Sequence, residues 1–315
     1  MSLTLGIDTS NYTTSLALYD TDSHEIRQEK KLLPVKLGEK GLRQSDAVFH
    51  HVQQLPQLMD KLWQAGGKES LCAVGVSSRP RDAEGSYMPC FTVGLTCAKL
   101  LCKTLEVPLY SFSHQAGHIA AALYSSKSLS LLDKPFLAFH VSGGTTEALL
   151  VSPNSYQIFS CQLAAKTLDL NAGQLIDRVG VMLGLDFPAG PALEQLALTC
   201  EVRNIKGINP AMKGADCCLS GGENLCKKLI QEGKKPSDIA AFCLEYVKET
   251  LDQMCSRLIE QYGQMPVVFA GGVMSNSILR KYFTQRYGAI FAEPKFSADN
   301  AAGISVLTAI KAGLL

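Results

Sequence analysis

Hydrophobic and polar positions follow the same order in two distant parts of the chain, and this repetition predicts the fold. Residues 3–8 alternate as a strand does, residues 9–12 form a small polar turn, and β-branched and apolar positions return over 13–19. The same strand, turn and strand recur over 136–151, and patterns of helical spacing follow in both halves. A weak internal duplication of this kind is typical of a duplicated, actin-like α/β fold.

The remaining pattern predicts a series of strands and helices around these two repeats. Strands are expected over 32–37, 71–77, 108–112 and 266–270, a polar turn over 20–29, and helices over 47–65, 92–105, 114–124, from 277 and from 300 to the end. The chain turns polar and irregular near 126–134, which we take as the domain crossover. We therefore expect lobes at 1–130 and 131–299, with the helix 300–315 packing back on the first.

Composition restricts the possible partners and the compartment. The 315 residues carry 30 basic and 29 acidic side chains, a net charge of +1, so global charge favours neither nucleic acid nor membrane and any RNA contact must be local. The modest basic cluster Lys227, Lys228, Lys234 and Lys235 is either such a contact or a solvated helix face. No apolar run reaches membrane-spanning length, and eleven cysteines scattered through apolar stretches indicate buried thiols. With no leader segment apparent, we expect a cytoplasmic protein.

Two histidines and one aspartate are candidate metal ligands. His114 and His118 stand at i and i+4, so a helix directs both imidazoles to one side. Asp299 precedes an alanine- and glycine-rich helix, where it either caps the helix or directs an oxygen to the metal. Three such ligands leave coordination positions open for a substrate. Gln115 follows His114, so the glutamate of a zinc protease is missing and peptide hydrolysis by that route is excluded.

Glycine turns are candidate phosphate sites. Residues Val141, Ser142, Gly143 and Gly144 form a strand end and paired-glycine turn whose backbone N–H groups could reach a phosphate. A second pair, Gly271-Gly272, leads into Asn276. The alternative is that the two strand-turn-strand units, at 3–19 and 136–151, are tight hairpins without a ligand.

Two further carboxylates are candidates for the same chemistry. Asp177, followed by the turn that contains Gly190, could hold ribose hydroxyls, or it could pair with Arg178 on an ordinary helix. Asp8 ends the first strand, where it either faces the site through a metal-bound water or initiates the turn through local backbone bonds. Leu55, Leu58 and Leu62 lie at helical spacing and form either core or an exposed apolar face.

Taken in order, these residues resemble the TsaD (YgjD/Gcp, Kae-type) family, over nearly the whole chain. Six segments match the family's motifs at its spacings: residues 5–10, the pair His114 and His118, 141–144, 176–191, 270–276, and Asp299 with Asn300. The resemblance implies the ASKHA fold of actin, sugar kinases and Hsp70, an α/β fold with two lobes and a central nucleotide and metal cleft. It also implies transfer of a threonylcarbamoyl group from threonylcarbamoyl-AMP to the adenine beside the tRNA anticodon.

The same resemblance implies the residue roles and the partners. Asp8 and Ser10 are expected to be catalytic, and His114, His118 and Asp299 to bind one divalent metal, iron or zinc. Val141, Ser142, Gly143, Gly144, Asp177, Gly190 and Asn276 are expected to bind ATP, AMP or threonylcarbamoyl-AMP. The implied partners are the tRNA substrate, a small TsaB-like protein of the same fold and a TsaE-like ATPase, with no membrane.

Departures from the family pattern lie on the acceptor side. The family's opening turn carries an Asp-Glu pair, where this chain has Tyr12 and Thr13, and its G-P-G-L loop is replaced by the charged segment 79–85. The family histidine after the glycine pair is Thr145, and the S-F-S-G-L-K segment has become residues 218–223. A divergent transferase or ATPase with another acceptor, or a partner-binding scaffold, are therefore the alternatives.

Overall fold

The computed structural model describes residues 2–10, 12–34, 42–64, 66–201, 205, 208–297 and 301–315. Contacts between Cα atoms divide the chain into two units. The first unit consists of Met1–Leu132, Pro153–Ser160 and Lys295–Leu315, and the second of Asp133–Ser152 and Cys161–Pro294. Among the helices of the described residues, none is long and apolar enough to cross a membrane.

The first unit is built on a five-stranded sheet in the order β3-β2-β1-β4-β5. Its strands are β1 (Leu3–Asp8), β2 (Thr13–Asp20), β3 (Ile26–Leu32), β4 (Leu71–Arg79) and β5 (Leu109–Ser113), and its helices include α1 (Gln44–Trp63), α2 (Phe91–Leu105) and α3 (His114–Ser125). β1 pairs antiparallel with β2 and parallel with β4, which is parallel to β5. The carboxyl ends of β1 and β5 therefore lie at the same edge of the sheet.

Alternation along β1 explains the layers of this unit. Leu3, Leu5 and Ile7 are fully buried in a core with leucines of α1 and α2. The opposite face of β1 meets the last helix, α10 (Ala302–Lys311): Thr4 Oγ1 donates to Ser305 O, and a Cβ at Gly6 would lie 2.4 Å from Ala301 O. Because successive strand residues point to opposite faces, the sheet is covered by α1 and α2 on one side and α10 on the other.

The second unit repeats the topology of the first. Its sheet runs β12-β11-β6-β7-β8, with β6 (Phe136–Val141), β7 (Thr146–Asn154), β8 (Ile158–Lys166), β11 (Val267–Ala270) and β12 (Ile290–Phe291). β6 pairs antiparallel with β7 and parallel with β11, as β1 does with β2 and β4. The predicted duplicated α/β fold is therefore confirmed at the level of strand order.

Helices of the second unit share one core with this sheet. They are α4 (Ala172–Met182), α5 (Gly190–Leu198), α6 (Ser220–Gln231), α7 (Pro236–Tyr262) and α8 (Ser277–Tyr287). Residues of all five pack with Leu137, Phe139 and Phe269 of the strands. A short hairpin of β9 (Ala211–Lys213) and β10 (Asp216–Cys218) and the four-residue α9 (Pro294–Ser297) complete the described elements.

Two sequence expectations change with the structure. The turn predicted over 20–29 and the strand over 32–37 are wrong in their placement, because the third strand is β3, Ile26–Leu32. Residues 35–37 lie outside the described residues. Leu55, Leu58 and Leu62 are buried in the core of the first unit, so these three side chains serve packing rather than an exposed face.

Candidate functional site

The histidine pair lies at the start of α3, and the residue before it caps this end of the helix. Ser113 caps the helix, since its Oγ accepts from Ala116 N at 3.1 Å. His114 is the first helical residue and His118 follows one turn later, so the rings meet with centroids 4.4 Å apart. The predicted helix and the shared face of the two imidazoles are thus present.

Asp8 orients the first imidazole. Its Oδ2 lies 2.7 Å from His114 Nδ1, and its Oδ1 accepts from Ser10 N at 2.6 Å. Asp8 is 1 % exposed, so its charge is held in a site that water scarcely reaches. A carboxylate in this position favours the imidazole tautomer with the proton on Nδ1, which leaves His114 Nε2 with its lone pair. Asp8 therefore both stabilises the local turn and orients His114.

The Nε2 atoms of the two imidazoles are spaced to suit a metal ion. His114 Nε2 and His118 Nε2 are 2.9 Å apart. Two nitrogens that each lie about 2.0–2.1 Å from one ion are about 2.9–3.4 Å apart when they occupy adjacent coordination positions. Because Asp8 holds the proton of His114 on Nδ1, His114 Nε2 is the acceptor and His118 Nε2 the donor of this contact. The donor set therefore fits two positions of one divalent ion.

The third predicted metal ligand, Asp299, lies outside the described residues. Within the described ranges no three histidines, cysteines or carboxylates are grouped to hold a metal. Ser10 is fully buried, and its Oγ has no hydrogen-bond partner in the described part of the chain. This hydroxyl is therefore an orphaned polar group two residues from Asp8.

A loop that the sequence analysis noted only as a departure supports α3. Ser113 Oγ donates to Asp82 Oδ2 at 2.8 Å, and Arg79 Nε donates to Asp82 Oδ1 at 3.0 Å. The carbonyl of Pro80 accepts from Gln115 N at 3.1 Å. Two first-turn N–H groups of α3 are thus satisfied, one by the loop directly and one by a serine that the loop orients. Neither the serine cap nor its partner Asp82 was predicted from the sequence.

The glycine turn of the second unit is closed by its own serine. Ser142 Oγ accepts from Gly144 N at 3.3 Å and from Thr145 N at 3.1 Å. Val141 has its side chain in the core, so it can offer a ligand only backbone atoms. A Cβ at Gly173, the second residue of α4, would lie 2.6 Å from Gly143 N, so only glycine allows this helix to approach the turn. The turn is therefore pressed against the start of α4.

The start of α4 is itself occupied by protein acceptors. Thr146 Oγ1 accepts from Ala172 N at 2.8 Å and Ser142 O accepts from Gly173 N at 3.1 Å. These first helical N–H groups are consequently unavailable to a phosphate, which must be met by the turn itself.

Four of the seven residues predicted to bind the nucleotide line one pocket of this unit, which has a volume of about 460 Å³, a size that suits a small ligand. Gly143, Asp177, Gly190 and Asn276 are these four, and the lining also includes Gly272 of the second glycine pair. The other lining residues are Gly173, Ile176, Pro188, Pro191, Glu194, Val273 and Ser275. Glycines and prolines dominate the lining, so a ligand would meet backbone over much of the surface.

Polar groups in this pocket are partly committed to the fold. Asp177 Oδ1 accepts from Ala189 N at 2.8 Å, and burial raises the pKa of this carboxyl. Arg178 pairs with Glu223 at 3.0 Å, so the expected Asp177–Arg178 alternative is not the arrangement adopted. Asn276 Oδ1 caps α8 by accepting from the N–H groups of Ile278 and Leu279, each at 3.1 Å, which leaves its amide NH₂ group for a ligand.

Comparisons with known proteins agree on a family and on a fold. The sequence profile of TsaD, described as tRNA N6-adenosine threonylcarbamoyltransferase, matches residues 36–306. A tRNA N6-adenosine threonylcarbamoyltransferase of Nautilia profundicola is 31% identical over 320 residues, covering 96% of this chain and 90% of that protein. The enzyme of the same description from Methanopyrus kandleri is 28% identical over 293 residues, covering 90% of this chain and 81% of that protein.

Solved structures similar to this chain support the fold alone. Component A of the (R)-2-hydroxyglutaryl-CoA dehydratase of Acidaminococcus fermentans has a TM-score of 0.56 at 16% identity, covering 99% of this chain and all of that one (100%). A ROK-family glucokinase of Streptomyces griseus has a TM-score of 0.53 at 11% identity, covering 98% of this chain and 99% of that one. A sugar kinase among these neighbours agrees with the ASKHA fold expected from the duplicated strand order.

Proposed function

Because this chain belongs to the TsaD family of tRNA N6-adenosine threonylcarbamoyltransferases, we propose that it transfers a threonylcarbamoyl group from threonylcarbamoyl-AMP to the N6 amine of the adenine next to the tRNA anticodon. The family makes the chain an enzyme of tRNA modification. The donor, the acceptor atom and a dependence on metal are the proposal.

The observation that carries the proposal is the chain of contacts from Asp8 through His114 to His118. In the reaction, N6 attacks the carbamoyl carbon, the bond from that carbon to the phosphate oxygen breaks, AMP leaves with the electron pair, and N6 loses a proton. One divalent ion, iron or zinc, held by His114, His118 and Asp299, would supply a Lewis acid for the carbamoyl carbonyl. Asp8 keeps the Nδ1 proton of His114 in place, so that Nε2 stays available as a ligand.

Other residues would bind and orient the donor. The pocket with Gly143, Asp177, Gly190 and Asn276 suits the adenylate by its size and its backbone-rich lining. Rotation of the Ser142 side chain would free the N–H groups of Gly144 and Thr145 for a phosphate oxygen. The buried hydroxyl of Ser10 is a donor without a protein partner in the described chain, and we assign it to the reacting group.

We extend the proposal to the partners that the family resemblance implied. The substrate is tRNA, and a small TsaB-like protein of the same fold and a TsaE-like ATPase assist the reaction. A second candidate function is transfer to another acceptor, or nucleotide hydrolysis, or a binding role without catalysis. It is favoured by Tyr12 and Thr13 in place of the family's acidic pair, since Thr13 is buried at the start of β2 and no carboxylate replaces that pair within the turn.

The test is transfer of labelled threonylcarbamoyl from its adenylate to unmodified tRNA, with the small partner present. Wild type is compared with His114→Ala and with His50→Ala, a histidine change on α1 in the same unit. Label in RNA that is lost only in His114→Ala supports the proposal. Nucleotide binding without label in the wild type would overturn the tRNA acceptor and favour the second candidate.

A further inference from the structure

A second pocket adjoins Asp177, and we propose that it binds a nucleobase. This inference rests on the proposed function, because a nucleobase is present both in the tRNA acceptor and in the adenylate donor. The pocket has a volume of about 430 Å³, within the range of small-ligand sites. Three apolar residues of α4 and its following loop line it: Val181, Met182 and Phe187. The four polar lining residues are Gln174, Asp177, Arg178 and Glu223. Asp177 is the residue that it shares with the pocket assigned to the adenylate.

The apolar part of this pocket is unusually open to solvent. Phe187 is 75% exposed and Val181 is 54% exposed. A single exposed apolar side chain needs no explanation, but an aromatic ring and two aliphatic side chains around one concavity form a surface that a flat apolar ligand can cover. Base–aromatic stacking is the sequence-tolerant contact by which proteins hold nucleic acid bases.

The segment that presents Phe187 is anchored to α4. Two residues later, Ala189 N donates to Asp177 Oδ1 at 2.8 Å, and Ala189 is fully buried. A Cβ at Gly180 would lie 2.2 Å from Ala189 Cβ, so the glycine allows this segment to lie directly on the helix. The ring is therefore held beside the pocket by a fixed backbone, which limits the entropy that a stacked ligand would cost.

The polar groups suit the edge of a base better than a phosphate. Gln174 Oε1 accepts from Asn171 N, which leaves its NH₂ group as a donor, and Asp177 Oδ2 remains beside the committed Oδ1. Glu223 pairs with both Arg178, at 3.0 Å, and Lys227, at 2.6 Å, and Asp177 is a second carboxyl group of the pocket, so two acidic side chains stand against the two basic ones. A donor and an acceptor beside an aromatic ring, with little net charge, match a heterocycle with a hydrogen-bonding edge.

A tryptophan reporter tests the proposal directly. Trp63 is the one tryptophan of the chain, so Phe187→Trp in a Trp63→Phe background places a single indole in the pocket. Stacking of a base should quench its emission. Leu198→Trp in the same background is the matched control, because Leu198 is similarly exposed on α5 of the same unit. The ligands are AMP and an unmodified anticodon stem-loop RNA, titrated separately.

The two ligands distinguish the two sources of the base. Saturable quenching by AMP alone assigns the pocket to the nucleotide donor, and saturable quenching by the RNA with AMP already bound assigns it to the acceptor. No saturable quenching by either ligand, or equal quenching of the control at 198, would overturn the proposal. Phe187→Ala should weaken binding of the quenching ligand about 5- to 160-fold, the factor for about 1–3 kcal/mol, whereas Phe187→Tyr should retain it.

Failure of this inference can be separated from failure of the proposed function. If threonylcarbamoyl transfer occurs and Phe187→Ala has a wild-type KM for tRNA and for the adenylate, the base site is wrong and the transferase stands. If saturable quenching occurs but no label enters tRNA, the base site stands and the acceptor or the reaction must be revised.

Discussion

Replacement of Asp8 by asparagine should strongly weaken metal binding by His114 while preserving the turn. The asparagine Oδ1 can still accept from Ser10 N, so the local backbone bond survives. Its NH₂ group, however, would replace the carboxylate oxygen that lies 2.7 Å from His114 Nδ1. Two donors cannot face each other, so the imidazole would change to the tautomer with Nδ1 bare and the proton on Nε2. That proton occupies the position through which a metal would bind.

The magnitude follows from the burial of the contact. Loss of a carboxylate that orients a metal-binding histidine typically costs 10–100-fold in metal affinity, or about 1.4–2.7 kcal/mol. Because Asp8 is 1 % exposed, water can scarcely replace the lost oxygen, and we expect the upper end, about 100-fold. The fold should lose less, since the turn and the strand pairing of β1 are unchanged.

The assay is competition for Zn²⁺ between the protein and a chromophoric chelator, with nitrogen chemical shifts of the imidazoles as a second readout. Asp20→Asn is the control, because Asp20 ends β2 at the edge of the sheet opposite Asp8. A wild-type Zn²⁺ affinity in Asp8→Asn, with Nε2 still unprotonated, would refute the reasoning. Equal losses in both variants would show that the effect is not specific to His114.

Three further changes test the supports of the same unit. Asp82→Ala should lower the free energy of unfolding by about 1 kcal/mol and weaken Zn²⁺ binding several-fold, because the cap of α3 loses the acceptor of its hydroxyl proton. Gly303→Ala should lower the free energy of unfolding by at least about 1–3 kcal/mol, because the new Cβ would overlap the carbonyl oxygen of Gly117 on α3. His51 is fully buried and burial lowers its pKa to about 4, so the folded protein stays neutral there while the unfolded chain binds a proton below pH 6.5. Stability should therefore fall as the pH is lowered from 6.5 towards 4, by about 2 kcal/mol at pH 5, and His51→Asn should remove this part of the pH dependence.

Urea unfolding measures all three free energies, at pH 7 for the first two and between pH 7 and 4 for the third. Glu84→Ala, an exposed change in the same loop, is the control for Asp82 and should be neutral. Gly272→Ala serves for Gly303, since no atom lies within 4 Å of its added Cβ. Equal effects in a variant and its control would contradict the corresponding prediction. The His51 prediction would also be contradicted if His51→Asn lost as much unfolding free energy between pH 6.5 and 4 as the wild type does.

The strands of the two repeats, β1, β2, β6 and β7, lie where the sequence predicted them. The pattern predicted no element over β8 or α7, and it misplaced one further strand. That strand is β3: its residues are mostly charged, so the segment resembles a turn in isolation. It is the edge strand of its sheet and takes its structure from pairing with β2. Charged side chains protect an edge strand from pairing with other chains. From the local sequence alone, a charged edge strand cannot be distinguished from a loop.

The same distinction applies to the candidate site. The spacing of His114 and His118 predicted a common helix face, because that geometry is local. The contact of Asp8 with His114 spans 106 positions and depends on the parallel order of β1, β4 and β5. Motif resemblance placed both residues in one site, but the specific bond needed the sheet. The pairing of Asp82 with Ser113 had no sequence signal, because it depends on the path of a loop.

The discontinuity of the first unit has a consequence for how the protein is made. α10 follows the whole second unit in the chain, yet it covers β1, β2, β4 and α3 in the first. Ribosomal synthesis is vectorial, so the face of α3 with Gly117 and Ala121 must await a helix translated after residue 300. The second unit, complete by Pro294, can mature earlier. During translation the histidine helix therefore stays uncovered on this face until α10 has been made, as do the faces of β1, β2 and β4 that α10 covers, and these surfaces need protection from aggregation until then.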